Sequence, residues 1–545
     1  SSAASDVYKR QLTNVIPSFA VSRKGSPILG ANDRIRLGVI GVNSRGSALA
    51  QSFAKMPGCD VTYICDCDTQ ALERCRQQVK ALTGKLPKGE TDIRRMLESD
   101  EFDAAVIAMP DHWHAKAAIM AMKAGKHVYL EKPTSHNPAE NELLVRAAVK
   151  YGKVIQVGNQ RRSWPNIIAA IDEIKAGNIG KVRYAKSWYV NNRPSIGTGK
   201  VAPVPSHLNW DLWQGPAPRT EFRDNIVHYN WHWFWNWGTG EALNNGTHFV
   251  DLLRWGLDVD YPTLVGSVGG RYRYQDDWQT PDTQLITYQF GDKAAGSWEG
   301  RSCNNSPVDG DGVGVAFYGE TGTLYLNGGN EYKIKDLGGK LIKEVKSELK
   351  FETGNLLNPS EQLDAFHFEN WFNAIRKGEK LHSDINEACI STQLVQLGNL
   401  IRRQRLCRKE IQRSRVAVFQ NGVQHRQIVA HRFAGSRRRN HADIPALRHT
   451  VKRLALMRIE LMHAPCGQHR RQAAIQRFGK RRKARFFCRK GFPMRDISHK
   501  GGRSFQAVNQ LFKIHERLLS SAAACARRQA RTAGNRLKAK SAGRR

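Results

Sequence analysis

Apolar and polar positions alternate in blocks rather than singly through the first part of the chain. Between Arg36 and Asp68 the sequence reads RLGVIGVNSRGSALAQSFAKMPGCDVTYICDCD. An apolar run from Leu37 to Ile40 breaks at Gly41. A second glycine, Gly46, opens an amphipathic stretch, and another apolar run from Val61 to Ile64 ends on Asp66. Short continuous apolar runs bounded by glycine predict buried strands, and the stretch between them predicts a helix. The same rhythm continues. Helices are expected over Gln70 to Ala81 and near Thr91 to Leu97, and strands over Ala104 to Ala108, His127 to Leu130 and Val154 to Val157. Between these strands lie a helix that Asp111 is placed to cap and another over Pro138 to Tyr151. Such alternation implies a doubly wound parallel sheet with helices on both faces, an α/β domain over residues 34–157.

From Pro165 the texture changes. One helix, to Ala176, is followed by β-rich runs over Val182 to Val190, Leu264 to Tyr274, Gln284 to Phe290, Gly312 to Tyr318 and Thr323 to Leu326. Strands in series without intervening helices predict an α+β domain with a large, mostly antiparallel sheet, residues 158–402. Helices near Ser360 to Arg376 and Asp384 to Arg402 close it.

Charge redraws the boundaries. The chain carries a net +36, yet 39 of its 85 Lys and Arg and only 5 of its 49 acids lie after residue 400, where no Trp or Tyr occurs. The preceding residues are near neutral, so the basicity describes 403–545 alone. That segment reads as disordered or out of frame, and nucleic acid is a partner only if it is genuine. Residues 1–33 read as an unstructured leader, the first eleven foreign to the fold. No apolar run is long enough to span a bilayer, and no membrane partner is expected. Ten cysteines without a CxxC pair argue for buried thiols, and no metal site is expected.

The Gly41 turn carries the first chemistry. Gly41 lets the chain leave the strand sharply, and Gly46 lets the helix pack close to the sheet. The N–H groups around Asn43, Ser44 and Arg45 then face a pyrophosphate. Asp66 stands about 20 residues on, where an acid accepts the ribose hydroxyls and repels a 2′-phosphate. NAD is therefore expected in preference to NADP. The middle glycine of GxGxxG is replaced by Asn43, which tolerates left-handed angles better than most residues. At the carboxyl ends of later strands fall Pro110, His112 and His114, then Glu131 and Lys132. All are candidate cofactor contacts.

Beyond these residues the chain shows a family resemblance. AGKHVYLEKP (124–133), preceded by VIAMPDHWH, and followed by VGNQRR (157–162), DLWQGPAP (211–218), GTGEALNNGTHFVDLLRW (238–255) and FHFENWFNAIRKGE (366–379), resembles the glucose-fructose oxidoreductase and inositol dehydrogenase family, Gfo/Idh/MocA. The resemblance covers about residues 34 to 402. It implies an NAD(P)-dependent oxidoreductase moving hydride between a nicotinamide and a sugar, cyclitol or related polyol. It also implies Gln160 beside the cofactor, Lys132 beside the nicotinamide and the reacting hydroxyl, and His248 as base. The family commonly has an acid where this chain has Asn244. On one helix Asn244, His248 and Asp251 share a face. Asn244 orients an imidazole but does not stabilise its cation, so Glu241 or Lys132 is expected to compensate.

Further substrate contacts are sought in Arg162 and in HYNWHWFWNWG. There Trp231, Trp233, Trp235 and Trp237 recur at every second position and share a face if extended, with Trp235 the candidate for stacking on a sugar ring. Two rivals remain open: an enzyme that retains NAD and cleaves or epimerises glycosides without net redox, and a non-catalytic sugar-binding protein. A homo-oligomer through the second domain's sheet is expected. The leader resembles the stretch after a twin-arginine signal in exported members of the family, which leaves export and the cytoplasm both open.

Overall fold

The computed structural model describes residues 34–348, 361–413 and 428–429. The readings of an unstructured leader and a disordered or out-of-frame tail fall outside the described residues. The described residues all lie in the unit Ser1–Met462.

The first domain runs β1 (Ile35–Ile40), α1 (Arg45–Lys55), β2 (Cys59–Cys65), α2 (Thr69–Thr83), β3 (Lys88–Glu90), α3 (Ile93–Met96), β4 (Ala104–Ile107), α4 (Asp111–Lys123), β5 (His127–Leu130), α5 (Pro138–Tyr151) and β6 (Ile155–Val157). Its strands pair in parallel in the order β3-β2-β1-β4-β5-β6, the doubly wound arrangement. Both faces are covered, which is why all four residues of β4 are buried and read as an unbroken apolar run. Helix boundaries follow local chemistry. The Asp68 side chain accepts from the N–H groups of Gln70 and Ala71 at the start of α2, and Gly84, at φ 74°, ends it. Asp111 is the first residue of α4 rather than its cap; Pro110 holds the cap position, and the Asp111 carboxylate accepts from Thr239 Oγ1 at 2.5 Å.

The second domain runs α6 (Pro165–Lys175), β7 (Tyr184–Val190), α7 (Trp210–Gln214), α8 (Gly240–Asn244), α9 (Gly246–Leu257), β8 (Leu264–Gly270), β9 (Thr283–Phe290), β10 (Ala294–Arg301), β11 (Val313–Tyr318), β12 (Gly322–Leu326), β13 (Tyr332–Asp336) and β14 (Leu341–Val345), then α10 (Glu361–Lys377) and α11 (Ile385–Arg413). The sheet order is β14-β13-β12-β11-β7-β10-β9-β8, with the pair Ile428–Val429 beside β8. Pairing is antiparallel except between β7 and β10. In β9, Gln284, Ile286, Tyr288 and Phe290 turn inward toward a core that includes Phe249 and Leu253 of α9, and the alternate residues face outward. Strand β10, AAGSWEGR, has glycines and a glutamate where a strand signal needs branched side chains; its pairing with β7 and β9 makes it a strand.

Helices α10 and α11 do not simply close the second domain, as the sequence suggested. Phe368, Trp371 and Phe372 of α10 are buried with Leu37, Phe53 and Tyr129 of the first domain, Phe368 lying 4.2 Å from Phe53 between ring centroids. Ile385, Ala388 and Cys389 of α11 join the opposite face of the same sheet. The chain thus returns to cover the parallel sheet it began with, and α11 continues past residue 402 to Arg413. Between β7 and α8 a long segment forms its own aromatic cluster, with Trp210, Trp213, Phe222, Phe234 and Trp237 buried together.

Candidate functional site

The carboxyl ends of β1, β2, β4 and β5 open into a cleft of about 540 Å³, walled on the other side by the second domain. That volume is in the range of small-molecule and cofactor sites. At its floor Gly41 has φ 81°, and a Cβ there would stand 2.9 Å from the Ala108 carbonyl. A Cβ on Gly46 would stand 2.0 Å from the Gly41 oxygen, so only glycine permits this approach of α1 to the turn. Helix α1 has no side-chain cap and no acid in its first turn, leaving its N-terminus suited to an anion. Asn43 does not use the left-handed region; its side-chain oxygen accepts from Arg74 Nη2 at 2.9 Å. Asp66 lines the cleft with its carboxylate taking the Val42 and Asp68 N–H groups at 2.7 and 2.9 Å. Burial pushes its carboxyl upward despite these two donors. This floor fits a dinucleotide: a close glycine turn, an uncapped helix start and an acid at the end of the second strand.

Farther along, the two domains meet over Lys132. Its ammonium donates to the carbonyl of Asn244. Burial lowers its pKa, and the nearby Glu131 and Asp111 carboxylates only partly offset this. His248 lines the same cleft, and its Nδ1 is buried with no partner among the described residues. Burial, and then the cations Lys132, Arg161 and Arg45, hold the imidazole well below its usual pKa, so it is neutral near pH 7. Asn244 and His248 do not share one helix. The helices α8 and α9 meet at Asn245, whose Nδ2 donates back to the Glu241 carboxylate.

Other anticipated residues are held elsewhere. The Arg45 side chain bridges Glu131 at 2.9 Å and Asp364 at 3.0 Å, and Gln160 donates to the same Glu131 oxygen at 3.2 Å. Arg45, Glu131 and Gln160 line the cleft wall, but their polar groups are taken up by one another and by Asp364. His114 sits with its ring nitrogens 2.6 Å from the carbonyls of Pro133 and Met109, tying the lysine loop to the end of β4. His112 is absent from the cleft lining. Its nitrogens face the Trp213 and Trp237 carbonyls at 3.0 and 3.3 Å, and burial lowers its pKa to about 4. Arg162 is buried against Asp251 through two bonds of 2.8 Å and is unavailable to a substrate.

The tryptophan alternation is broken by a 3-10 turn over Asn230–Trp233, which sends the indoles in different directions. Trp233 stacks on Trp278 and Trp237 joins the aromatic cluster; Trp235 lies outside the cleft lining, and Trp231, stacked on His232, is the one that lines it. Glu241 does not serve His248; its carboxylate is committed to Arg193 and Asn245. Arg193, Tyr189 and Tyr229 complete this wall, and no sequence signal singled them out, because they sit at a strand end and in an irregular segment. That segment also roofs the β2 end of the cleft. The Thr69 and Asn209 N–H groups bond to the His207 and Cys67 carbonyls, and Asp68 accepts from His228 Nε2 at 2.7 Å. Among the described residues no three His, Cys, Asp or Glu side chains converge as a metal set, and no helix is long and apolar enough to cross a membrane.

The fold and cleft together define a nucleotide-binding α/β domain joined to a sheet-based partner domain. Residues 35–159 match the model of an oxidoreductase family with an NAD-binding Rossmann fold, and residues 188–424 match that family's C-terminal alpha/beta domain. The chain belongs to the Gfo/Idh/MocA oxidoreductase family, and its first domain is that family's NAD-binding domain. It is similar to inositol 2-dehydrogenase of Rubrobacter xylanophilus, 29% identical over 64% of this chain and 85% of that one. It is also similar to a glycosyl hydrolase family 109 protein of Shewanella sp. strain ANA-3, 32% identical over 53% of this chain and 62% of that one. The chain spans between 36% and 62% of the length of three such glycosyl hydrolase relatives. A levoglucosan dehydrogenase, solved with NADH and levoglucosan, shares the fold at a TM-score of 0.53 and 16% identity, covering 67% of this chain and 97% of that one.

Proposed function

We propose that this chain is an NAD-dependent oxidoreductase acting on a sugar, cyclitol or related polyol. The observation that carries it is the meeting of Lys132 and the Asn244–His248 turn across a cleft whose floor fits a dinucleotide. Gly41, the start of α1 and Asp66 would hold the NAD; when bound, it accepts or returns a hydride at the substrate carbon. His248, neutral and with an unpaired ring nitrogen, takes the hydroxyl proton. The Lys132 ammonium stabilises the developing alkoxide, and its lowered pKa lets it exchange that proton. The test is NAD titration by calorimetry followed by a panel of aldoses and inositols, read as NADH absorbance. Binding of NAD with sugar-dependent reduction is expected; absence of NAD binding overturns the reading.

A second reading is favoured by the roof over the β2 end, where His207 and Asn209 bond to Thr69 and Cys67, just beyond Asp66. Such a clasp hinders cofactor exchange and suits transient oxidation during glycoside cleavage with no net redox, in keeping with the glycosyl hydrolase relatives. NAD that co-purifies, together with product formed without NADH accumulation, would favour it. For assembly we propose self-association through the outer face of the second sheet, where Val268 and Leu285 are paired neighbours 49% and 39% exposed. Light scattering giving a monomer overturns that part.

A further inference from the structure

An arginine on the wall of a sugar site ordinarily reads as a fork for a carboxylate, because its planar guanidinium matches two oxygens at once. Arg193 lines the cleft but its fork is already filled. Its Nε and Nη2 both donate to Glu241, while Nη1 reaches the Tyr229 hydroxyl at 2.9 Å. Glu241 is itself locked: Asn245 Nδ2, the Asn191 amide and the Ser302 hydroxyl also donate to its carboxylate, whose side chain is only 4% exposed. Burial alone would push that carboxyl up, and Arg193 with the other donors reverses the sign, so the pair is held ionised and mutually neutralised. Lys132, which also lines the cleft, feels both Glu131 and Asp111.

We propose that Arg193 is the residue that selects an uncharged ring in this cleft. Glu241 cancels its charge and fills its fork, so that this wall offers the Tyr229 hydroxyl to substrate hydroxyls but no net attraction to a uronate. This rests on the reading that the cleft takes a sugar or polyol, and it adds which chemical class of sugar enters. Tyr229, whose ring lies against the Arg193 guanidinium, and Trp231, which also lines the cleft, supply flat apolar surface for the C–H face of such a ring. A carboxylate substituent would have to displace Glu241 from a guanidinium it cannot leave, since the acid is buried.

The experiment titrates NAD-loaded protein by calorimetry with glucose against glucuronate and galactose against galacturonate, and repeats the series with Glu241→Gln. In the native protein the neutral member of at least one pair is expected to bind about tenfold or more tightly than its uronate. In Glu241→Gln, Arg193 regains an unpaired charge and that preference is expected to shrink by about tenfold or reverse. A native protein that binds the uronate equally or better, or a Glu241→Gln protein with an unchanged ratio, overturns the proposal. If the variant does not fold, the native comparison decides alone. NAD titrated on the same preparation separates the two failures: no NAD binding defeats the oxidoreductase reading, whereas bound NAD with no neutral sugar taken up defeats this inference.

Discussion

The ammonium of Lys132, at the end of β5, is hydrogen-bonded to the main-chain carbonyl of Asn244, in the turn that precedes His248. One bond therefore ties the cleft-lining lysine of the first domain to the helix start that carries the imidazole. Lys132→Ala removes both the ammonium proposed to carry the proton and this tie. Turnover is expected to fall by about 10²–10⁴-fold, the range for a lost acid–base group, while NAD binding is retained. Steady-state rates and calorimetric NAD titration on the same protein check it.

Gly46 has no room for a side chain, since a Cβ would stand 2.0 Å from the Gly41 carbonyl. In Gly46→Ala the helix must move away from the turn, at a cost of about 1–3 kcal/mol of stability. NAD affinity is expected to fall by more than tenfold, read by calorimetry, with urea unfolding reporting the stability loss.

Asp66 braces the turn through the Val42 N–H, and we propose it as the acid that meets the ribose. Asp66→Asn keeps the size and removes the charge that repels a 2′-phosphate. The ratio of NAD to NADP affinity is expected to fall by about tenfold, or about 1.4 kcal/mol. Titration with both cofactors measures it.

His112 and His367 are buried, and their pKa values fall to about 4 and about 3. In the unfolded chain both titrate near 6.5, so that state takes up protons first as pH falls. Their contribution to stability is whole above pH 6.5 and is lost on acidification between about 6.5 and 4, at on the order of 2 kcal/mol each by pH 5. Asp364, raised to about 6 chiefly by burial, works the other way, favouring the fold at low pH. The histidines outnumber it, so the thermal midpoint is expected to drop from pH 7 to pH 5. His112→Gln should flatten part of that fall.

Phe368 joins the return helix to the first domain against Phe53. Phe368→Ala is expected to cost about 3–5 kcal/mol and to lower the denaturation midpoint. If α10 merely capped the second domain, the NAD-dependent rise in that midpoint would be unaffected; packed as it is, the rise should shrink.

What local pattern encodes was legible in the chain alone. The parallel sheet announced itself through unbroken apolar runs, and His127 to Leu130 and Pro138 to Tyr151 have the bounds the sequence suggested. Gly41 and Asp66, singled out by local pattern, and Lys132 and His248, singled out by the family resemblance, all line one cleft. Position across a fold is different, because a side chain's partner is chosen by whatever surface comes to face it. Arg162 looked free and met Asp251, 89 residues on; His112 was drawn between two carbonyls of the aromatic segment; and the tryptophan comb lost its shared face to a single tight turn. Arg193 and Glu241 became an ion pair at the cleft wall only when the end of β7 and α8 were brought side by side. Short-range backbone preference and burial decide the elements, whereas charge pairing across long loops is settled by packing, and no spacing along the chain records it.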